Sequence, residues 1–404
     1  MSNSWPGGAG GLAATTSREA GGESTASSDD PVWPVAPRYG AATLADVGPS
    51  LLSCLGVPGE RNILGLPAVR RVCLLVIDGL GADLLHEQKA AAPFLASLAE
   101  CGRRIDAGFP ATTVTSLSSL GTGLPPGQHG LLGYQVRVPG TGRLLNGLRW
   151  DKDVDPVAWQ PESTIFERAA AAGVAAVRVA QGSFKHSGLS IASMRGADYQ
   201  AANTPGALVA RAATAMAAQP RAYAMVYTGD LDGTGHACGC TSPAWRYQLS
   251  HTDRLAEQLA DALPAGTLLV VTADHGMVDV PSARRIDADL IPELQEGVAL
   301  LGGEPRARHV YAEPGAAPDV LAAWRETLGE SAWTVSRDEA IDEGWFGPVD
   351  QRAAPRLGDV IASARGDWAV VATVAEPRES ALVGMHGSLM PRDQEIPLLL
   401  YQGE

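Results

Sequence analysis

Two segments of the sequence are apolar along almost their whole length and are as long as a β-strand. They cover residues 71–77 and 267–272. Such runs are typical of parallel strands buried on both faces, because a strand exposed on one face alternates apolar and polar residues. Weaker strands are predicted at residues 223–227 and 396–401. Helices are predicted at residues 86–100, 163–172, 205–218, 242–263 and 319–328. This alternation predicts an α/β fold with a mostly parallel central sheet flanked by helices.

Acidic residues follow three of the predicted strands at their carboxyl ends. They are Asp78, Asp230, Asp232 and Asp274, the last of which is followed by His275. In a parallel sheet the carboxyl ends of the strands meet at one edge, which is where ligands bind. One such ending is ordinary, because Asp and Gly form many turns. Three endings together favour a metal site over three unrelated turns.

Histidines accompany two of these acids, and a third histidine lies in a similar glycine-flanked setting. His236 closes the segment Asp-Gly-Thr-Gly-His that begins at Asp232, His275 adjoins Asp274, and His386 lies in Gly-Met-His-Gly-Ser. Imidazole and carboxylate groups together suit zinc or manganese. A single histidine is more often a surface or hydrogen-bonded residue, so the prediction of a metal site depends on the three occurring together.

A third feature is the segment 108–130, which carries seven hydroxyl side chains between Thr112 and Thr122. Ser and Thr cap helices and compete for backbone hydrogen bonds, so one interpretation is that these hydroxyls cap and pack a helix. The other interpretation is that one of them is a nucleophile. A hydroxyl needs a base or a metal ion for that role, because it is a poor nucleophile at neutral pH.

Five blocks of the sequence resemble the alkaline phosphatase superfamily and, within it, the nucleotide pyrophosphatase/phosphodiesterase branch. The blocks are residues 76–80 (Val-Ile-Asp-Gly-Leu), 109–130, 230–236 (Asp-Leu-Asp-Gly-Thr-Gly-His), 272–277 (Thr-Ala-Asp-His-Gly-Met) and 384–388 (Gly-Met-His-Gly-Ser). Each block is weak alone, whereas all five in this order are highly specific. The resemblance extends from about residue 72 to residue 400 and implies an alkaline-phosphatase-like fold with a small inserted cap.

The resemblance also implies two divalent metal ions, usually zinc, with manganese as the alternative. One ion is implied to bind Asp232, His236 and His386. The other is implied to bind Asp78, Asp274 and His275 together with the nucleophile. Counting from Pro110 against the family pattern Pro-x-x-Thr places the nucleophile at Thr113, and Thr112 and Thr115 are left open as alternatives.

The implied activity is metal-dependent hydrolysis of phosphodiester or nucleotide pyrophosphate bonds through a phospho-threonine intermediate. Ser116 stands where the branch usually carries an Asn that binds a phosphoryl oxygen, so Ser116 is the implied substrate-binding residue. No Arg closely follows Thr113, whereas alkaline phosphatases proper use an Arg to hold a monoester dianion, and this favours diesters. A phosphomonoesterase or phosphomutase on the same fold stays open, as does a non-catalytic protein that binds phosphorylated ligands.

Composition limits the partners and the compartment. A net charge of −14 argues against a polynucleotide partner, because cationic contacts to phosphates dominate such binding, and leaves a small phosphorylated substrate. Five scattered cysteines indicate a reducing compartment. Neither a signal peptide nor an apolar run of membrane-spanning length is found, which predicts a cytoplasmic protein without a membrane partner. The sequence leaves the oligomeric state open.

The chain is predicted to have two parts. Residues 1–40 are rich in Gly, Ala, Ser, Thr and Pro without an apolar period and are predicted to be a disordered leader. Residues 41–404 are predicted to form the catalytic domain. Within it, residues 139–153 mix cationic and aromatic side chains between two of the motif blocks. That segment is interpreted as a contribution to a substrate-binding cap, with a solvent-facing hairpin as the alternative.

Overall fold

The computed structural model of the chain describes residues 33–403. The strands are β1 (Arg71–Ile77), β2 (Arg103–Asp106), β3 (Gln135–Arg137), β4 (Leu144–Asn146), β5 (Ala175–Ala180), β6 (Asp198–Ala201), β7 (Ala222–Thr228), β8 (Thr267–Ala273), β9 (Val278–Asp279), β10 (Arg285–Asp287), β11 (Val298–Glu304), β12 (Ala307–Ala312), β13 (Ala332–Ser336), β14 (Val360–Ala364), β15 (Ala369–Val371), β16 (Gly384–Met385) and β17 (Glu395–Gln402). The α-helices are α1 (Leu44–Cys54), α2 (Ala82–Glu87), α3 (Pro93–Ala99), α4 (Thr113–Thr122), α5 (Pro126–His129), α6 (Pro156–Trp159), α7 (Ile165–Ala171), α8 (Gly188–Met194), α9 (Pro205–Ala218), α10 (Asp230–Cys238), α11 (Pro243–Ala262), α12 (Ala317–Leu328), α13 (Arg337–Asp342), α14 (Pro377–Ser380) and α15 (Pro391–Gln394).

A seven-stranded sheet forms the centre of the fold, with the strand order β2-β17-β8-β1-β7-β5-β6. The five strands from β8 to β6 are parallel, and β17 runs antiparallel to both of its neighbours. Every residue of β7 and β8 is buried, as the continuous apolar runs predict. The predicted mostly parallel α/β sheet is therefore confirmed.

Helices flank this sheet, and most of them agree with the sequence prediction. The predicted helix at 205–218 coincides with α9, and the one at 242–263 contains α11. The single helix predicted at 86–100 is wrong, because α2 ends at Glu87, a short 3₁₀ turn follows, and α3 starts at Pro93. Proline has no backbone N–H and restricts the residue before it, so it begins a helix more readily than it continues one.

Two antiparallel insertions add to the main sheet. Strands β3 and β4 form a hairpin, and β11, β12, β14 and β13 form a four-stranded sheet in that order. Helix α12 packs on the four-stranded sheet through buried Val320 and Trp324, which belong to a hydrophobic cluster separate from the main core. The structure thus contains inserted elements, and their role as a cap stays a prediction.

Most of the predicted leader, residues 1–32, lies outside the described residues. The part that is described contacts the domain: Arg38 forms an ion pair with Asp106, and the Tyr39 hydroxyl accepts a hydrogen bond from the Phe109 amide at 2.9 Å. The boundary at residue 40 stays a prediction. Among residues 33–403, none of the helices has both the length and the apolar character that a bilayer span requires.

Candidate active site

The register of three parallel strands brings the predicted acids to one edge of the sheet. Ile77 at the end of β1 lies beside Thr228 of β7 and Ala273 of β8. Asp78 and Asp274 follow immediately, and Asp232 lies in the first turn of α10, which begins just after β7. Asp230 is exposed and belongs to neither of the ligand groups described below.

The first group consists of Asp78, Asp274 and His275, all of which are buried. His275 Nε2 lies 3.3 Å from Asp78 Oδ1 and 3.7 Å from Asp274 Oδ2. Gly79 has a φ of 75°, and a Cβ there would be 3.1 Å from the Asp232 backbone, so glycine lets the chain turn where the two groups meet. Its amide donates to Asp274 Oδ1 at 3.1 Å, which fixes that carboxylate.

The second group consists of Asp232, His236 and His386. Asp232 and His236 are four residues apart on α10, so both side chains project from one face of the helix, with His236 Nε2 3.3 Å from Asp232 Oδ2. His386 is far from α10 in the sequence. It is brought to the site because β16, which precedes it, pairs with β9, which follows His275. Within residues 33–403 these two groups are the His, Cys, Asp and Glu clusters suited to a metal ion, and neither contains a cysteine.

The three histidines are oriented in the same way. The Nδ1 atom of each lies near a backbone carbonyl oxygen: Gly276 at 2.9 Å for His275, Gly384 at 2.7 Å for His236 and Ala111 at 3.0 Å for His386. A carbonyl only accepts, so Nδ1 donates and Nε2 keeps its lone pair. This is the usual arrangement of a metal-binding histidine.

The acceptor atoms of each group therefore converge when the histidines are neutral. The His275 Nε2 lone pair faces Asp78 Oδ1, and Asp78 Oδ1, Asp232 Oδ1 and Asp274 Oδ2 are buried without a hydrogen-bond partner among the described residues. Buried acceptors that face one another repel unless a cation or a proton lies between them. Two divalent metal ions fit this donor set.

The electrostatics of the site agree with that interpretation. Burial raises the pKa of Asp78 well above its ordinary value, and the charges of Asp274 and Asp232 raise it further. Burial also lowers the pKa of His236, but the adjacent Asp232 outweighs it and raises that pKa to about 9. Without a cation, protons therefore lie between these side chains. A metal ion that binds there would displace them.

Thr113 is the first residue of α4 and lies beside the first group. Its Oγ1 is 3.3 Å from His275 Nε2, and its side chain is half-buried, unlike those of the neighbouring Thr112 and Thr115. Thr112 occupies the N-cap position but makes no capping bond through its side chain. Its hydroxyl instead acts on Glu304, where it lowers the pKa of the carboxyl. Of these three threonines, Thr113 is the one that combines partial exposure with a contact to a histidine of the candidate ligand groups.

The other hydroxyls of α4 divide into two sets. Ser118 and Thr122 donate to the carbonyls of Val114 and Ser118, and Ser119 lies 3.1 Å from His129 Nε2, so these three fit the interpretation of local hydrogen bonding. Ser116 is different, because its Oγ is buried without a partner among the described residues. Ser116 is one helical turn from Thr113 and lies on the same face of α4.

Two residues of the site carry no signal that the sequence analysis used. Tyr227, near the end of β7, donates its hydroxyl hydrogen to Asp78 Oδ2. Glu304, at the end of β11, is buried, and its Oε2 is 3.3 Å from His386 Nδ1. Burial raises the pKa of Glu304 to about 8, although the Thr112 hydroxyl opposes the shift. A strand-ending Tyr beside a motif acid could have been noticed, whereas nothing local distinguishes Glu304.

A buried ion pair supports the loops that carry His275 and His386. Arg306 Nε and Nη2 donate to the two Asp393 carboxylate oxygens at 2.9 and 2.8 Å, and both side chains are fully buried. Asp393 Oδ1 also accepts from the Ser388 amide at 3.0 Å, and its backbone oxygen accepts from the Gly276 amide at 2.8 Å. One residue thus holds the chain next to two histidines of the candidate ligand groups.

The predicted cap segment lies against the start of α4. Gly147 packs so closely that a Cβ there would be 2.6 Å from Val114 Cγ1. Trp150 packs in the same way on Gly188 at the start of α8. The amides of Leu148 and Arg149 donate to Asn146 Oδ1, and both of these side chains are exposed. Lys152 is exposed as well.

Comparison with known proteins gives one family and a set of similar folds. The family described as Type I phosphodiesterase / nucleotide pyrophosphatase matches residues 72–389. No curated protein sequence matches the chain.

Three solved structures illustrate the shared fold. Murine ectonucleotide pyrophosphatase/phosphodiesterase 5 has a TM-score of 0.66 and 19% identity over 83% of this chain and 88% of that chain. Its inactive threonine-to-alanine variant in complex with AMP has a TM-score of 0.65 and 19% identity over 81% and 87%. Phosphonoacetate hydrolase from Sinorhizobium meliloti 1021, in complex with phosphonoformate, has a TM-score of 0.63 and 18% identity over 86% and 93%. The predicted alkaline-phosphatase-like architecture is confirmed.

Proposed function

The chain belongs to the Type I phosphodiesterase / nucleotide pyrophosphatase family, a family of phosphoester hydrolases, and from that premise we propose that it cleaves phosphodiester or nucleotide pyrophosphate bonds through a phospho-threonine at Thr113. The observation that carries the proposal is the position of Thr113. A half-buried hydroxyl at the start of a helix lies 3.3 Å from His275 Nε2, beside two groups of converging acceptors.

Two divalent metal ions, zinc in the first instance and manganese as the alternative, fit the two groups. Asp78, Asp274, His275 and the Thr113 hydroxyl would hold one ion, and Asp232, His236 and His386 would hold the other. When bound, such ions supply Lewis acidity that lowers the pKa of a coordinated hydroxyl and stabilises negative charge on the leaving oxygen. The unpartnered carboxylate oxygens of Asp78, Asp232 and Asp274 support this assignment.

The residues of the chain then perform a two-step transfer. Thr113 Oγ1 attacks phosphorus, the bond to the leaving oxygen breaks, the Thr113 proton passes through solvent to that leaving oxygen, and the phosphoryl group stays on Thr113. In the second step water attacks the same phosphorus, the bond to Thr113 Oγ1 breaks, and a proton of that water passes to Thr113 Oγ1, which restores the hydroxyl. The first amides of α4 lack carbonyl partners within the helix, so they are available to the phosphoryl oxygens in both steps.

Ser116 takes the place of a phosphoryl-oxygen ligand in this proposal. Its Oγ has no partner among the described residues, and it lies one turn after Thr113. The first Lys or Arg after Thr113 in the sequence is Arg137. Because no Arg closely follows Thr113 in the sequence, a diester or pyrophosphate with one negative charge at the attacked phosphorus suits the site better than a monoester. The complex of the murine relative with AMP supports a nucleotide substrate.

The reducing, cytoplasmic location predicted from composition is part of the same proposal. Cys54, Cys73 and Cys240 are buried, Cys101 and Cys238 are exposed, and all five are free thiols. Free cysteines of both kinds support a reducing compartment. Detection of the protein in a periplasmic or secreted fraction of its source cells would contradict this part.

The test of function compares two chromogenic esters. Metal-loaded protein is expected to turn over bis(p-nitrophenyl) phosphate faster than p-nitrophenyl phosphate, and chelation is expected to abolish both activities. Phosphonoacetate serves as a third substrate, since a fold relative binds it. Elemental analysis is expected to find close to two divalent ions per chain. Full turnover after chelation would overturn the two-metal assignment, and a preference for the monoester would favour the phosphomonoesterase alternative.

The nucleophile is tested by three matched alanine variants. Thr113→Ala is expected to lower turnover roughly 10³-fold or more while keeping the fold, because the Thr113 side chain has few contacts. Thr113→Ser is expected to keep measurable activity. Thr112→Ala and Thr115→Ala remove buried hydroxyls and are expected to lose far less. If Thr112→Ala is inactive and Thr113→Ala is active, the nucleophile is Thr112, and if all three are active there is no phospho-threonine.

A further inference from the structure

Arg178 in β5 is buried without an acidic partner. It is 3% exposed, and burial lowers the pKa of its guanidinium. Its recorded hydrogen bond runs from Nη1 to Ser190 Oγ at 2.7 Å, and its Nε is buried without a partner among the described residues. A buried cation that is not paired is costly, because its lost hydration is not replaced.

The other buried arginines of the described chain are better satisfied. Arg306 binds both oxygens of Asp393, and Arg308 is paired with Glu376. Arg356 has no acid, but it donates to the carbonyls of Gly130 and Trp159, and its guanidinium lies 3.8 Å above the Trp159 ring. Arg178 has only a neutral hydroxyl and the Tyr199 ring at 5.5 Å. The environment of Arg178 therefore lacks the carboxylate or carbonyl groups that accept hydrogen bonds from the other three buried arginines.

Arg178 lines a cavity of about 340 Å³, together with Lys185, His186, Ser190 and Tyr199. Lys185 and His186 are exposed at the rim of the cavity, and neither forms an ion pair within residues 33–403. Arg195 also borders the cavity, but it is occupied by Glu167 and by three backbone carbonyls. The acid at the cavity is Asp198, which is exposed and accepts from the Gln200 side chain. The lining is thus cationic in a protein whose net charge is −14.

From these observations we infer that the cavity between β5, β6 and α8 binds a small oxyanion, either free phosphate or the phosphate of a monoester, with Arg178 as its buried charge and Lys185 as its charge at the rim. A planar guanidinium and an ammonium group together suit a tetrahedral oxyanion. The volume accommodates a phosphate group with an organic substituent. The site does not depend on the proposed hydrolase function, because none of its residues belongs to the two metal-binding groups.

The cavity is connected to the candidate active site by a contact between two helices. Helix α8 contributes Ser190 to the cavity and packs against α4 through Ser193, whose Oγ is 2.7 Å from Ser118 Oγ. Helix α8 thus both lines the cavity and contacts α4, the helix that begins at Thr113. Binding at the two places can be measured independently.

The experiment titrates the full, metal-loaded chain with inorganic phosphate by calorimetry. Wild-type protein is expected to bind phosphate in a process that persists after chelation. Arg178→Met is expected to weaken that process about 10- to 100-fold, the range for a lost charge-assisted hydrogen bond to a buried group. Lys185→Ala is expected to weaken it about 2- to 5-fold, since an exposed charge contributes less. Lys89→Ala, an exposed lysine elsewhere, is expected to have no effect.

Further arms identify the ligand and guard against misfolding. Tighter binding of AMP than of phosphate assigns the site to a monoester, and equal binding assigns it to the free anion. The inference is overturned if all phosphate binding disappears on chelation, or if folded Arg178→Met binds as wild type does. If Arg178→Met does not fold, Lys185→Ala decides, and unchanged binding in that variant overturns the inference. Failure of ester turnover alone would overturn the proposed function and leave this site intact.

Discussion

Removing either partner of the Arg306–Asp393 ion pair is expected to cost far more stability than removing a surface pair. Both side chains are fully buried and joined by two hydrogen bonds, so Arg306→Met leaves an uncompensated carboxylate and Asp393→Asn leaves an uncompensated guanidinium. Each change is expected to cost about 3–5 kcal/mol of unfolding free energy. The neighbouring Arg392 pairs with Glu87 at the surface, and Arg392→Met is expected to cost about 1 kcal/mol or less.

The double variant distinguishes a charge effect from a packing effect. Arg306→Met with Asp393→Asn leaves neither charge alone, so its cost is expected to be about 3 kcal/mol smaller than the sum of the two single costs. Urea unfolding followed by circular dichroism measures these differences. Competition with a chelator measures whether the variants also lose metal affinity, because Asp393 accepts hydrogen bonds from the amides of Ser388 and Gly276 beside the site. Additive costs, or single costs near that of Arg392→Met, would refute the reasoning.

Three further outcomes are expected. Tyr227→Phe removes the donor to Asp78 and is expected to lower metal affinity about 10-fold by chelator competition, with an unchanged melting temperature in the chelated protein. Gly147→Ala places a methyl group against Val114 and is expected to cost about 1–3 kcal/mol and to raise KM, which thermal melts and steady-state kinetics measure. Burial raises the pKa of Glu304 to about 8, above its unfolded value, so the folded chain binds the extra proton. Metal-free protein is therefore expected to lose stability as the pH rises from about 5 to 8, by up to about 1.4 kcal/mol per pH unit, and a flat stability profile would contradict this.

The sequence predicted those parts of the fold where local composition matches the environment. Strands β1 and β8 are apolar along almost their whole length and β7 along much of it, so all three were recognisable. Strand β5 was not predicted, because Arg178 interrupts its apolar run, and a charge in a buried strand is a poor local choice. Helix α10 was not predicted either, since Gly233 and Gly235 lower its helix propensity. Yet this helix is what places Asp232 and His236 on one face.

Some residues of the candidate site could likewise be predicted from the sequence, and others could not. The two candidate ligand groups could be named from four of the five short blocks, because each of those four carries an acid or a histidine. Glu304 could not be named, since it belongs to an inserted strand and meets His386 only through the tertiary fold. The same holds for Asp393, whose contacts with Ser388 and Gly276 depend on loops that the sequence does not relate to one another.

The position of β17 in the central sheet has a consequence for biosynthesis. Strand β8 ends at residue 273, but its neighbour β17 begins only at residue 395 and then pairs with both β8 and β2. During translation, this apolar edge of β8 consequently stays unpaired until the ribosome has synthesised residues 274–394 and then β17. Long-range pairing of this kind folds slowly and leaves exposed strand edges prone to association. A chain truncated before residue 395 would lack β17, and we expect it to associate more readily than the full chain because that edge of β8 stays unpaired.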